Sequence, residues 1–154
     1  MALRQWHVLV LLQSPLKYVV RGTSGELLFK TVPDIHIENF KGRTWIIDTK
    51  WKLLKKSSED RKYGVSQADV YQMLAYSVTH KCDRLILLYP HQSGAQRICG
   101  IQSIFTFVER PDTKLYIATI DLSELATTND QLLGILMEAA SEDAQKVLEL
   151  NSVP

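Results

Sequence analysis

Charge of one sign is what this sequence most lacks: 18 Lys+Arg stand against 17 Asp+Glu, for a formal charge of +1. No overall basicity draws the chain to a polyanion, so any anionic partner must be held by a local patch. Cysteine is as sparse. Cys82 and Cys99 match no metal-ligand spacing and build no disulfide framework, which reads as two reduced thiols in a cytoplasmic protein. A long apolar run is missing near the start, where Trp6 to Leu12 is broken by His7 and stops at Gln13-Ser14-Pro15. A helical membrane span needs about 20 residues, and no small-residue cleavage site marks a signal peptide, so a buried strand and no membrane association are expected. There is no internal repeat and no Gly-rich phosphate loop. The 154 residues, 45% hydrophobic, suit one compact domain spanning 1–154.

What is present reads as α/β. Lys17 to Arg21 has strand character, Gly22 to Gly25 is a turn cluster, and Leu27-Leu28-Phe29 leads on towards Asp34. Ile35 and Ile37 alternate with Asp34, His36 and Glu38, the pattern of a strand with one buried and one polar face. After a turn at Lys41-Gly42-Arg43, Thr44-Trp45-Ile46-Ile47 has the β-branched and aromatic content of a central strand. Lys52 to Lys62 is dense in charge and reads as a solvated loop. Ser66 caps a helix, with Asp69 favouring its positive end and Val70, Met73, Leu74, Ser77 and Val78 on its core side. Leu85 to Tyr89, stopped by Pro90, is a buried strand. Ile98 to Val108 and Leu115 to Leu122, separated by Glu109 to Asp112, form a hairpin at the sheet edge. Thr128 and Gln131 offer a capping box for one closing helix, or for two broken near Ser141. Strand, helix, strand is the grammar of a mixed sheet flanked by helices.

The chemistry concentrates at Asp34 and at Asp48-Thr49-Lys50. On a strand, Asp48 and Lys50 emerge on one face while Ile47 and Thr49 point the other way. If the strand after Val32 pairs with this one through the turn at 39–43, Asp34 reaches the same end of the sheet. Two acids and a lysine can hold a hard divalent cation and set an ammonium beside a developing anion, which suits phosphodiester hydrolysis. Lys50, flanked by carboxylates, should stay charged and serve as an electrostatic clamp. Gln72 and Tyr76, four residues apart, share one stripe of the helix that follows. Each piece alone has a plain structural reading: an ion pair for Asp48 and Lys50, a core aromatic for Tyr76, an exposed linker for 52–62. In the functional reading Lys52, Lys55, Lys56, Arg61 or Lys62 contacts phosphates. His36 is expected to be exposed or hydrogen-bonded rather than a third metal ligand. Trp45 and Trp51, on the face of Ile47, are expected in the core rather than stacked on bases.

The order Pro33-Asp34, Asp48-Thr49-Lys50, then Gln72 and Tyr76, resembles the PD-(D/E)xK nuclease motif with its Q-xxx-Y element. Trp45 to Trp51 (WIIDTKW), Tyr63 to Ser66, Asp69 to Tyr76 (DVYQMLAY) and Leu88-Tyr89-Pro90 resemble the nuclease domain of McrC, the cleaving subunit of the McrBC restriction system. The likeness runs from about Leu28 to Leu122. It implies a restriction-endonuclease-like (PD-(D/E)xK) core and a DNA endonuclease that uses Mg²⁺, with Mn²⁺ as a substitute. Asp34 and Asp48 would ligate the metal, Lys50 would orient the attacking water and stabilise the transition state, and Gln72 and Tyr76 would position groups or contact DNA. It also implies an McrB-like AAA+ GTPase as partner.

McrC proteins carry a long N-terminal portion that docks onto McrB, whereas here only a short segment stands ahead of Asp34, so that portion is expected to be absent. Nor does a helix ahead of Asp34 supply a further acid; Glu26 is the nearest candidate. Two other readings stand beside the nuclease: a nucleic-acid-binding or assembly subunit with a vestigial site, and an unrelated α/β domain with a structural Asp48-Lys50 pair.

Overall fold

The computed structural model describes residues 8–54, 60–91 and 99–150. The chain order is β1 (Leu9–Leu12), β2 (Lys17–Arg21), β3 (Leu27–Thr31), β4 (Ile35–Phe40), β5 (Arg43–Thr49), α1 (Gln67–Thr79), β6 (Arg84–Pro90), β7 (Gly100–Phe107), β8 (Arg110–Ile120) and α2 (Thr128–Leu150). Six strands form one sheet in the order β1-β4-β5-β6-β8-β7, and β2 and β3 pair as a separate hairpin. Strands β5, β6 and β8 run parallel, while β4 against β5, β1 against β4 and β7 against β8 are antiparallel. The fold is therefore mixed α/β, as the alternation of strand and helix patterns implies.

Strand parity distributes the side chains. Ile37, Trp45, Ile47, Ile86, Leu88, Tyr116 and Ala118 face one way and pack under Ile135, Leu136 and Ala139 of α2. Ile46, Leu85, Leu87, Tyr89, Leu115 and Ile117 face the other way, against Met73 and Tyr76 of α1. Both faces of the parallel strands are thus covered, which is why Leu85 to Tyr89 is apolar without alternation. The turn between β4 and β5 places Lys41 (φ 53°) and Gly42 (φ 75°) in the left-handed region, as a two-residue antiparallel hairpin turn requires. That turn sets Ile35 opposite Ile47 and Ile37 opposite Trp45. Asp34 and Asp48 are thereby brought to the same end of the sheet.

Several local expectations are corrected. The strand at the end of the Trp6 to Leu12 run is not buried: β1 is an edge strand, with Leu9, Val10 and Leu12 at 49, 53 and 69% exposure; Trp6 and His7 lie outside the described residues. On the supposed polar face of β4, His36 is as buried as Ile37, with its ring centre 6.0 Å from that of His80 at the end of α1. His36 Nδ1 lacks a hydrogen bond and sits 3.6 Å from Glu38 Oε1. Val78 is exposed, and the buried side of α1 instead carries Asp69, Met73, Tyr76 and Ser77. Strand β8 begins at Arg110 and runs between β6 and β7, so Arg110 to Asp112 belong to the strand and not to the turn.

At the last helix, Thr128 and Gln131 form no capping box. Gln131 instead clasps the end of β8: its Oε1 accepts the Asp121 amide at 2.9 Å and its Nε2 donates to the Asp121 carbonyl at 3.1 Å. Helix α2 is continuous through Ser141. Cys82 and Cys99 are free thiols. Among the described residues no helix is long and apolar enough to cross a membrane.

Candidate active site

Strand β5 ends in the motif residues because the chain must leave the sheet there. Asp48 is the last fully covered position, Thr49 closes the strand, and the Lys50 amide still donates to Leu88 O at 2.9 Å, which holds the lysine at the rim. Its Nζ lies 2.6 Å from Asp48 Oδ2. Alternation on the strand places the two side chains together, as the sequence pattern requires.

Asp34 enters from the start of β4 and is tied to the same strand end. Its Oδ2 accepts the Thr49 amide at 2.8 Å and the Thr49 hydroxyl at 2.7 Å, and Gln13 Nε2 donates to Oδ1 at 2.6 Å. Partial burial would raise its pKa, but these bonds and the charge of Lys50 outweigh it and leave the carboxyl below its ordinary value. Asp48 is more deeply set, and desolvation holds it above its ordinary value, with Lys50 opposing and Asp34 adding like-charge repulsion. Burial works to lower Lys50; its bonds to Asp48 and the nearby charge of Asp69 win, and its pKa is raised. The lysine is therefore a fixed cation at neutral pH.

Helix α1 closes the site from above. Gln72 donates from Nε2 to Asp48 Oδ1 at 3.0 Å and accepts Lys50 Nζ on Oε1 at 2.8 Å. One turn further on, the Tyr76 hydroxyl receives Gln72 Nε2 at 2.9 Å and donates to Val32 O at 3.1 Å. Tyr76 is thus both a buried core aromatic and the anchor of Gln72. The spacing of four residues puts them in line on one helix face.

Asp69 belongs to the same cluster, and sequence reasoning assigned it only to the helix end. Ser66 does cap α1, its hydroxyl accepting the Asp69 amide at 3.2 Å. The Asp69 carboxylate itself turns inward, with Oδ1 3.3 Å from Lys50 Nζ, Oδ2 2.5 Å from Lys52 Nζ, and the Tyr89 hydroxyl donating to Oδ2 at 3.4 Å. Burial would raise this acid, but Lys52, Ser66 and Lys50 bring it down to about 2. The available signal was positional, since Asp69 precedes Gln72 by three residues and so shares its side of the helix.

Of the basic loop, Lys52 is described and is committed to Asp69, also approaching Ser66 Oγ at 3.4 Å. Lys55 and Lys56 lie outside the described residues. Arg61 and Lys62 are exposed, on a turn built by Asp60, which accepts the Lys62 and Gly64 amides at 2.8 and 2.7 Å. Trp51 is corrected outright: at 88% exposure it is not core, because it lies two residues past the end of β5. Trp45 is fully buried as expected, donating to Phe40 O at 3.2 Å. Glu26 is exposed at the β2–β3 hairpin.

Among the described residues no three His, Cys, Asp or Glu side chains cluster as a metal cage. The acids beside Lys50 still fit a Mg²⁺ ion, which is held by one or two carboxylates together with waters and substrate oxygens. Each carboxylate has about four acceptor positions, so the two bonds from Thr49 and one from Gln13 on Asp34, and those from Gln72 and Lys50 on Asp48, leave acceptor capacity on both. These two are the side chains that would hold the ion.

Residues 4–90 match the family described as McrBC 5-methylcytosine restriction system component. The chain belongs to the McrBC family. The McrBC match takes in Asp34, Asp48, Lys50, Asp69, Gln72 and Tyr76. No curated protein matches the chain. A solved structure described as a refined half-complex from the tetradecameric assembly of Thermococcus gammatolerans McrB AAA+ hexamers with bound McrC is similar to 80% of this chain and 28% of the solved one, at 13% identity and TM-score 0.49. This McrBC-family chain thus spans 28% of the solved chain's length, and a likeness that slight bears nothing on the site.

Proposed function

We propose that this McrBC-family chain is a PD-(D/E)xK nuclease domain that hydrolyses DNA phosphodiester bonds with Mg²⁺, Mn²⁺ substituting, as the cutting component of a modification-dependent restriction system. The observation that carries the reading is the contact of Lys50 Nζ with Asp48 Oδ2 at 2.6 Å on a strand end whose Thr49 also holds Asp34. A purely structural ion pair needs neither the second acid nor the amide bridge of Gln72. Asp34 and Asp48 would hold the ion, which when bound supplies positive charge to the scissile phosphate and acidifies water.

The remaining work falls to the chain's own groups. Lys50, a fixed cation, sets an ammonium N–H where negative charge grows on the phosphate oxygens, and because it is already placed it needs no reorganisation in the transition state. Gln72 keeps the ammonium and the Asp48 carboxylate in register. Tyr76, anchored on Val32 O, keeps Gln72 from turning away. Lys52 is held on Asp69, so the phosphate contacts fall to Lys55 and Lys56 of the loop after it. An McrB-like AAA+ GTPase is proposed as the partner, on the strength of family membership.

The test is incubation of plasmid DNA with the purified chain and Mg²⁺ or Mn²⁺, with and without a candidate McrB-type GTPase. Metal-dependent cutting in either arm supports the reading. A folded chain that binds the GTPase and DNA yet leaves DNA intact in both metals would instead make it an assembly subunit with a vestigial site.

A further inference from the structure

Asp69 takes no part in the reading above, yet among the described residues it is one of two buried acids, with Asp48, at 8% exposure. A helix-end role does not explain that position. An acid in the first turn favours the helix from the solvent side, and the gain is small beside the cost of desolvating a carboxylate. What repays the burial is the pair of ammonium groups, Lys50 Nζ at 3.3 Å and Lys52 Nζ at 2.5 Å, on its two oxygens.

Seen from Lys50 the arrangement is complete. An ammonium has three N–H donors, and three acceptors surround this one: Asp48 Oδ2 at 2.6 Å, Gln72 Oε1 at 2.8 Å and Asp69 Oδ1 at 3.3 Å. The side chain is a flexible four-carbon stem and would otherwise sample several rotamers. Two of the acceptors sit on α1 and one on β5, so the ammonium is fixed between helix and sheet. The contact with Asp69 is the longest of the three. It is therefore the one most readily exchanged for a phosphate oxygen, while Lys52 stays behind to neutralise Asp69.

We propose that Asp69 is a positioning residue that, with Lys52 as its countercharge, holds the Lys50 ammonium ready beside Asp48 and yields it to the phosphate. The catalytic consequence rests on the nuclease reading; the positioning itself does not. Two readouts keep them apart. The first is the ¹⁵N-lysine ammonium spectrum of the full chain, with the Lys50 signal assigned by its loss in Lys50→Arg. A slowly exchanging Lys50 signal is expected in the wild type, and its broadening beyond detection in Asp69→Asn with the backbone amide spectrum retained. The second is single-turnover cleavage of DNA, expected to fall by about 10–100-fold in Asp69→Asn with the DNA Kd changed less than about twofold, the scale of losing a group that orients a site residue. Asp69→Glu, which keeps the charge, should recover part of both and serves as the decisive variant if Asp69→Asn does not fold.

A Lys50 signal indifferent to Asp69→Asn overturns the proposal, whatever happens to cutting. So does a loss of cleavage matched by an equal loss of DNA binding that Asp69→Glu does not repair. If no DNA is cut but the Lys50 signal still depends on Asp69, the positioning stands and the nuclease reading falls.

Discussion

Gln72 joins Lys50 to Asp48 from above, its amide nitrogen 3.0 Å from Asp48 Oδ1 and its carbonyl oxygen 2.8 Å from Lys50 Nζ. The bridge means that helix α1 and not strand β5 alone sets the separation of acid and cation. Gln72→Ala should therefore lower metal-dependent cleavage by about 10–100-fold, the usual scale for a group that orients a site residue. DNA binding measured in Ca²⁺ should hold. A variant that cuts like the wild type would show that the strand positions the pair unaided.

Trp51 stands at the exit of β5 with 88% of its surface exposed, next in sequence to Lys50. An indole so placed can stack on a base, a contact worth about 1–3 kcal/mol. Trp51→Ala should thus weaken binding of single-stranded or frayed DNA by about 5–150-fold, while the melting temperature stays within a degree or two because little packing is lost. Anisotropy titration checks the first expectation and thermal unfolding the second. A large drop in stability with unchanged DNA affinity would return Trp51 to a structural role.

His80, buried beside Thr31 at the end of β3, is expected to give the stability a pH dependence. His80 is buried at 5% exposure, its Nε2 3.0 Å from Thr31 Oγ1, and its ring centre is 6.0 Å from that of His36. Burial, with Lys17 and His36 adding repulsion, lowers its pKa from 6.5 to about 4. Because the folded value is depressed, the unfolded chain binds the extra proton in the window from 6.5 down to about 4, and the stability present above that window is lost as pH falls through it. The slope is at most ~1.4 kcal/mol per pH unit for one proton. Urea unfolding between pH 7 and 4 should show this decline, and His80→Gln should flatten it. An identical decline in the variant would assign the acid sensitivity elsewhere.

Much of the site was legible because strand parity is a local rule. Asp48 and Lys50 had to share a face once Thr44 to Ile47 was read as a strand, and the Lys41-Gly42 turn carried Asp34 to the same end. The Gln72 to Tyr76 spacing likewise follows from helix geometry alone. What was not legible depends on which element covers which. His36 alternates with isoleucines as a solvent-facing residue would, yet it is buried, with the ring of His80 from the end of α1 beside it. Trp51 has the parity of a core residue but lies two residues past the end of β5. Asp69 illustrates the same limit, since a first-turn acid reads as a helix-end charge until Lys50 and Lys52, just past the end of β5, are found on its oxygens. Gln131 and Thr128 have the spacing of a capping box, but the backbone ends of Asp121 compete for the same amide and win.

The central claim is that Lys50 and Asp48 form a reacting centre and not a structural pair. It is tested most directly by single-turnover DNA cleavage in Mg²⁺, with the McrB-type partner present, for wild type, Asp48→Asn and Lys50→Met, each shown to be folded and to bind DNA. The account predicts losses of at least about 10²–10³-fold in both variants, the scale of removing one preorganised electrostatic group from a transition state. Folded variants that cut DNA at the wild-type rate would contradict it.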